Sequence, residues 1–143
     1  MNKIRFDADE IKLISMFEST TGAKVNDFLM DSNLLCFLVK QGDMGLAIGK
    51  NGSKVEKLRR SLGRNILVLE HSDDPEKFIE NMFHPVEVHG LEVGDTPDGL
   101  MATVQISIED RSRAIGREGS RIRMVKALAK RHHNIGNINL RAV

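Results

Sequence analysis

The sequence has one cysteine, no tryptophan, no tyrosine and three prolines among its 143 residues. A single thiol, Cys36, excludes an internal disulfide, and its place in the apolar run 34–39 predicts a buried side chain. No apolar run reaches the roughly 18 residues that indicate a membrane-spanning helix, and the N-terminus lacks the apolar segment of a signal peptide. We therefore expect a cytoplasmic protein.

The polar residues lack the patterns typical of an enzyme or a metal site. Neither the five histidines nor Cys36 has a recognised ligand spacing, and no Ser/His/Asp or paired-carboxylate arrangement is evident. Residues 45–51 approach a phosphate-binding P-loop, but three residues separate the glycines where four are needed, and Asn51 follows the lysine where Ser or Thr would hold magnesium. We predict no catalytic residue, no metal and no cofactor.

The charged residues nearly cancel, to a net charge of +1, but they are unevenly distributed. Residues 50–64 contain six Lys or Arg and one acidic residue, and residues 111–131 contain eight and one. Between these blocks, residues 65–110 contain eleven acidic residues and one lysine. This distribution predicts two local anion-binding surfaces on a nearly neutral molecule.

Each basic block contains a copy of the same nine-residue phrase. Residues 47–55 read AIGKNGSKV and residues 114–122 read AIGREGSRI, an offset of 67 residues with five identical positions. Apolar residues recur at helical spacing after both copies, and a strand-like apolar run precedes and follows each. The chain is therefore predicted to be two copies of one unit, a first domain 1–72 and a second domain 73–143.

Both domains show the same predicted order of elements. The first has a helix at 8–20, strands at 24–30 and 34–40, a short helix at 43–47, a helix at 53–62 and a strand at 65–70. The second has a helix at 75–82, strands at 85–92 and 100–108 joined by a loop at 94–99, a short helix at 110–114, a basic helix to 132 and a strand at 138–142. Asp7 with Glu10, and Ser53 with Glu56, predict capping boxes. The predicted fold class is α+β, with helices on one face of a three-stranded sheet in each domain.

The Gly-x-x-Gly spacing is informative only within the longer phrase. Among 12 glycines the spacing arises by chance, and residues 42–45 have it without a basic helix directly after it. In residues 49–52 and 116–119 it lies between a short helix and a basic helix, where glycines let a nucleic-acid backbone approach the main chain. The N-terminus of the following helix favours phosphate, and Lys or Arg residues add positive charge.

The phrase Ile-Gly-x-x-Gly, followed three residues later by Val55 or Ile122, resembles the signature of KH domains, whose loop holds about four nucleotides of single-stranded nucleic acid. The element order resembles the type II KH fold, and two such units in tandem resemble the archaeal NusA family of transcription termination and antitermination factors. The resemblance covers essentially the whole chain and implies a single-stranded RNA-binding transcription elongation and termination factor that is not an enzyme. The RNA-binding residues that it implies are Gly49, Lys50, Asn51, Gly52, Ser53, Lys54, Gly116, Arg117, Glu118, Gly119, Ser120 and Arg121.

Two features depart from what an RNA clamp would prefer. Glu118 places a negative charge in the second loop, where it repels phosphate. Either Arg117, Arg121 and Arg123 outweigh this charge, or the second loop binds RNA more weakly than the first. With 4% aromatic residues and no phenylalanine after Phe83, stacking platforms for bases are missing, so aliphatic side chains and backbone polar groups would contact the bases.

The partner stays open at this stage. Tandem KH pairs also occur in other RNA-binding proteins, so a ribosome-associated or rRNA-assembly KH protein is the alternative function. A third interpretation is an adaptor that docks proteins through its acidic middle segment. Contact with RNA polymerase or a transcription complex is a further possible partner, although bacterial members carry an N-terminal polymerase-binding region that 143 residues do not accommodate.

Overall fold

Asp7 begins the first helix of the structure, a computed structural model that describes residues 4–143. Its carboxylate accepts a hydrogen bond from the backbone N–H of Glu10 at 2.8 Å, and the Glu10 side chain accepts one from the backbone N–H of Asp7 at 3.1 Å. This is the predicted capping box, which satisfies two N–H groups that the helix itself leaves unpaired. Gly22, in the left-handed conformation with φ 78°, ends the helix.

The chain divides into two units, of which the first ends at His71 and the second begins at Ser72. The first unit contains α1 (Ala8–Thr21), β1 (Val25–Met30), β2 (Leu35–Val39), α2 (Met44–Ile48), α3 (Ser53–Leu62) and β3 (Ile66–Glu70). The second unit contains α4 (Pro75–Met82), β4 (Val88–Thr96), β5 (Gly99–Ile106), α5 (Arg111–Ile115), α6 (Ser120–His133) and β6 (Ile135–Ala142).

The two units share one sheet topology. In the first, β1 pairs antiparallel with β2, and β2 pairs parallel with β3; in the second, β4, β5 and β6 pair in the same way. Parallel neighbours need a long crossover connection. In each unit that crossover is the short helix, the Gly-x-x-Gly loop and the long helix, so the topology fixes where the loop lies. The predicted α+β class, with two tandem three-stranded units, is confirmed.

The core of the first unit fixes the helices that flank its loop. Alternate residues of β2 face one side of the sheet and cluster there with Phe17 of α1, Ala47 of α2 and Leu58 of α3. The Phe17 and Phe37 rings stack with centroids 4.2 Å apart, and Cys36 is buried as predicted. Because α2 and α3 bury apolar residues in the same cluster, the loop between them has anchored ends.

The core of the second unit joins its first and last helices. Phe78 of α4 is fully buried and meets the ring of His133 edge-on, with centroids 4.6 Å apart. Nε2 of His133 lies 2.8 Å from the carbonyl oxygen of Ser72, which ties the end of α6 to the segment before α4. Val125 and Leu128 of α6 are also buried, so α6 presents one apolar face to the core and leaves its basic face exposed.

The hairpin of the second unit differs from the expected one. The predicted loop at 94–99 is wrong, because β4 continues to Thr96, β5 begins at Gly99, and those two residues pair directly. Thr96 explains the short turn, since its hydroxyl accepts from the N–H of Asp98 at 3.3 Å and donates to the carbonyl oxygen of Gly99 at 2.7 Å. β6 also begins earlier than predicted, at Ile135, directly after the left-handed Asn134 that ends α6.

The predicted capping box of Ser53 and Glu56 is wrong. Ser53 is the first helical residue of α3, and the preceding Gly52, in the left-handed conformation, occupies the capping position without a side chain. The Glu56 carboxylate instead pairs with Arg59 at 2.8 Å, one turn further along the helix.

In residues 4–143, none of the helices has both the length and the apolar character of a membrane-spanning segment.

Candidate nucleic-acid interface

The first glycine of each loop is required by the loop itself. Gly49 has φ 76° and ψ 174°, and Gly116 has φ 78° and ψ 172°, a region of backbone space that is essentially open to glycine alone. A Cβ on Gly49 would lie 2.7 Å from Cγ of Lys54, and a Cβ on Gly116 would lie 2.7 Å from Cβ of Arg121. The structure adds a packing requirement to the role predicted from the sequence, because the chain at this glycine lies too close to the following helix for a side chain.

The second glycine turns the chain into the helix. Gly52 and Gly119 are left-handed, with φ 73° and 76°, and their N–H groups donate to the carbonyl oxygen of the first glycine at 3.2 and 3.1 Å. Around Gly52, a Cβ would meet no heavy atom within 4 Å. The corresponding Cβ on Gly119 would lie 3.1 Å from Nη1 of Arg123. The space beside the first loop is therefore open, and that beside the second holds a guanidinium.

The two residues between the glycines form an exposed tip. Lys50 and Arg117, the first of each pair, are exposed. Asn51 and Glu118, the second, are left-handed with φ 55° and 54°. Asparagine adopts this conformation readily, whereas for most other side chains it costs about 1–2 kcal/mol. That two different side chains take one conformation shows that the surrounding loop dictates it.

The helices that follow the loops begin without a side-chain cap. Gly52 precedes α3 and Gly119 precedes α6, and neither N-cap residue can supply a side-chain oxygen. Backbone N–H groups in the first turn of a helix lack partners within the helix and carry the positive end of its dipole. The first N–H of each helix, that of Ser53 or Ser120, donates to the carbonyl oxygen of Lys50 or Arg117 in the loop. Helices of 10 and 14 residues thus begin at the loops without a side-chain cap, an arrangement that favours a bound anion.

Lys54 and Arg121 occupy equivalent positions and point away from the loop tips. Nζ of Lys54 donates to the carbonyl oxygen of Thr21, at the end of α1, at 3.1 Å. Nη2 of Arg121 donates to the carbonyl oxygens of Met82 and His84, each at 2.8 Å, and Nε donates to that of Met82 at 3.3 Å. Arg121 is only 9% exposed. In both units this cation ties the long basic helix to the end of the domain's first helix.

Ser53 and Ser120, the remaining predicted site residues, begin α3 and α6, and Ser53 is exposed whereas Ser120 is buried. The structure thus brings the predicted residues together at each loop but divides them into exposed and structural ones. Among residues 4–143, no group of three or more His, Cys, Asp or Glu residues is placed to hold a metal ion.

Arg123 also lies at the second loop, although it is not among the residues that the resemblance implies. It is exposed, and Nη1 donates to the backbone carbonyl oxygen of Glu118 at 2.6 Å, across the tip of the second loop. Its sequence signal was its place in a basic helix, three residues after Ser120, which lies on the same side of the helix.

Comparisons with known proteins identify the family. A family model described as the NusA-like second KH domain matches residues 75–142. A probable transcription termination protein NusA of Halobacterium salinarum is 36% identical over 137 residues, covering 96% of this chain and 98% of the relative. One from Methanocaldococcus jannaschii is 31% identical over 140 residues, covering 98% and 76%.

The solved structures agree with these relatives. The crystal structure of APE1850 superposes with a TM-score of 0.73 at 30% identity, covering 95% of this chain and all of that one. Near-complete coverage of a relative at 36% identity, together with the KH match and two KH-like units, identifies the whole chain and not one segment of it. The chain belongs to the NusA family of KH-domain transcription termination proteins.

Proposed function

We propose that this chain is a transcription elongation and termination factor that binds single-stranded RNA, with each Gly-x-x-Gly loop holding part of the RNA backbone. One observation carries the proposal. The two loops share one backbone conformation to within about five degrees at every glycine, although their intervening residues differ in charge. Both loops use this conformation to hold a cation, Lys50 or Arg117, exposed at the tip, which a plain connection between helices would not need.

The chemistry of each loop suits a phosphate. Backbone N–H groups at the start of α3 and α6 supply donors and a positive dipole end. Lys50 and Arg117 stand exposed at the loop tips and add a full positive charge. A loop of this kind binds an extended single strand, because in a duplex the second strand would occupy the space that the loop needs beside the bases. The partners we propose are single-stranded RNA and, through it, a transcription complex or RNA polymerase, with no catalytic step.

The direct test reverses the charge of both loop tips in the full chain. We expect the triple variant Lys50→Asp, Asn51→Asp, Arg117→Asp to keep its fold, because all three side chains are exposed. Loss of one charge-assisted contact per loop, at about 1.5–3 kcal/mol each, should weaken binding to a labelled single-stranded RNA by at least about 100-fold. Fluorescence anisotropy measures the affinity, and thermal unfolding checks the fold.

A matched control separates the loops from overall charge. Lys57→Asp, Ser61→Asp, Lys126→Asp changes the net charge by the same amount at exposed positions of α3 and α6 outside the loops. Screening at physiological salt acts over about 8 Å, so we expect this variant to lose less than about tenfold. Equal losses in the two variants would reduce the proposal to general attraction by basic helices.

The RNA source separates the two functions that the sequence left open. Crosslinking of RNA in cells, followed by sequencing, should recover nascent transcripts if the chain acts in transcription. Recovery of rRNA in their place would favour the ribosome-associated alternative, and loss of crosslinks in the triple variant would show that either RNA is held by the loops.

A further inference from the structure

The long helices that follow the two loops carry opposite charges at one equivalent position, four residues after the second glycine. Arg123 corresponds to Glu56 of the first unit, at the offset of 67 residues that relates the two phrases. Glu56 turns along its own helix to pair with Arg59 at 2.8 Å. Arg123 instead reaches back, and Nη1 donates to the carbonyl oxygen of Glu118 at 2.6 Å while Nη2 lies 3.5 Å from Oγ of Ser120. The guanidinium is therefore anchored across the second loop.

The guanidinium of Arg123 lies beside the second glycine of its loop, in the space that is open in the first loop. In the first loop the space beside Gly52 is open, and a Cβ there would contact no heavy atom within 4 Å. In the second loop the same space, beside Gly119, contains Nη1 of Arg123, 3.1 Å from the position of a Cβ. RNA that approaches the second loop as it would the first must contact this side chain.

The charges at the second loop determine whether a contact with phosphate is attractive. Glu118 replaces Asn51 at the exposed tip and would repel a phosphate, and the structure places a cation beside that glutamate. Across the two variable positions, Asn51 with Glu56 sums to −1, whereas Glu118 with Arg123 sums to zero. The planar guanidinium also matches the geometry of phosphate oxygens, which a lysine does not.

We propose that Arg123 binds an RNA phosphate at the second loop, so that the two loops hold the backbone by different means. The first loop offers an open glycine and Lys50, and the second offers a guanidinium already held at its tip. The inference rests on the proposed function, because it assigns a ligand contact within one of the two RNA-binding loops. The inference also implies that the second loop binds RNA despite the negative charge of Glu118.

The experiment isolates the second loop in the full chain. In a background with Lys50→Asp and Asn51→Asp, we compare Arg123→Ala and Arg123→Lys with Lys126→Ala. Lys126 is also exposed and lies about one turn further along α6. The probe is a fluorescein-labelled single-stranded RNA of about eight nucleotides, twice the length that one KH loop holds. Affinity is measured over a series of salt concentrations.

The expected losses separate Arg123 from a general charge. Arg123→Ala should weaken binding about tenfold, the equivalent of about 1.4 kcal/mol. It should also make the slope of log affinity against log salt shallower by about 0.7, the value for one phosphate contact on a single strand. Arg123→Lys should fall between, since it keeps the charge but loses the planar geometry. Lys126→Ala should change affinity by less than about threefold, because a lysine one turn from the loop contributes general attraction but no direct phosphate contact.

A reciprocal variant covers the case in which Arg123→Ala disturbs the second loop. In a background with Arg117→Asp, Glu56→Arg should strengthen binding by the first loop, because it places a cation beside the open Gly52. Loss of affinity there would overturn the inference.

Three further results would overturn it. Equal affinities and salt slopes for Arg123→Ala and Lys126→Ala would show that Arg123 contributes only background charge. Tighter binding by Arg123→Ala would show that the guanidinium obstructs the loop. A background variant that binds no RNA, while the unaltered chain does, would show that only the first loop is active. Failure of the unaltered chain to bind would instead refute the proposed function.

Discussion

The two glycines of the first loop should respond very differently to the same substitution. Gly49→Ala and Gly52→Ala each add one methyl group, at half-buried positions three residues apart in the same loop. A view in which both glycines serve only to admit RNA predicts similar stability and similar loss of binding. The structure predicts that Gly49→Ala damages the fold of the first unit, whereas Gly52→Ala leaves it nearly intact.

The expected magnitudes follow from the backbone and its neighbours. At Gly49, φ 76° with ψ 174° is a conformation that costs a non-glycine residue about 1–3 kcal/mol. The new Cβ would also lie 2.7 Å from Cγ and 3.1 Å from the backbone nitrogen of Lys54, and overpacking of this kind costs about 1–3 kcal/mol. Because the Lys54 ammonium is held by Thr21, its side chain cannot turn aside without losing that hydrogen bond. We expect a total of about 4 kcal/mol, the middle of the summed range.

At Gly52 the backbone cost of the substitution is smaller and is partly offset by its effect on the unfolded chain. The left-handed conformation costs alanine about 1–2 kcal/mol, and no neighbour lies within 4 Å of the new atom. Alanine also restricts the unfolded chain, which returns about 0.4–1 kcal/mol. The net loss should therefore be about 1 kcal/mol or less.

Amide hydrogen exchange in the full chain measures the loss of stability in the first unit separately from that in the second. The amides of β2, the buried central strand of the first unit, report its opening free energy. We expect Gly49→Ala to lower that energy by about 4 kcal/mol, Gly52→Ala by about 1 kcal/mol, and both to leave β5 unchanged. Equal protection of β2 in the two variants would refute the argument that the first glycine is a packing requirement.

Further substitutions and ligands test other parts of the structure. Arg121→Ala should destabilise the second unit by about 3 kcal/mol, because it removes a buried guanidinium from two backbone carbonyls, whereas Arg117→Ala should cost about 0.5 kcal/mol or less; urea unfolding distinguishes them. Asp7→Ala should cost about 1 kcal/mol through loss of the capping box, and Asp9→Ala, in the same first turn, should cost less in the same assay. Single-stranded RNA should bind more tightly than duplex RNA of equal length in a competition titration, and tighter duplex binding would contradict loop recognition.

The sequence was sufficient for the architecture because its strongest patterns were local or repeated. Asp7 with Glu10, and Asp74 before Pro75, encode helix starts through hydrogen bonds between near neighbours, and both are present. The repeated phrase indicated two similar units, and the family comparisons agree with tandem KH domains. The wrong capping prediction concerns a residue type that occurs both at helix caps and within helices. Ser53 matched a capping pattern, but Gly52 already turns the chain into α3, so the serine is within the helix.

The division of the site into exposed and structural residues could not be read from the sequence. Lys50 and Lys54 are both cations beside glycines, and nothing in their spacing shows that one reaches solvent while the other reaches the end of α1. That difference depends on where α1 ends relative to α3, which is a tertiary contact. For the same reason the sequence could place Arg123 near the second loop but not at its tip, since its bond to Glu118 runs backward along the helix and depends on the left-handed tip of the loop.

The paired cations Lys54 and Arg121 explain why the phrase keeps positive charge at that position in both units. The carbonyl groups at the end of a helix carry the negative end of its dipole, and a cation there is favourable. Lys54 meets this requirement at Thr21 with one hydrogen bond, and Arg121 meets it at Met82 with two. Because the first glycine leaves no room between loop and helix, the same residue must pack against it and reach across to the earlier helix. Positive charge in the phrase therefore has two separate roles. The cation at position 54 or 121 holds the loop to its domain, and the exposed cation at the loop tip, Lys50 or Arg117, is the one that we propose contacts RNA.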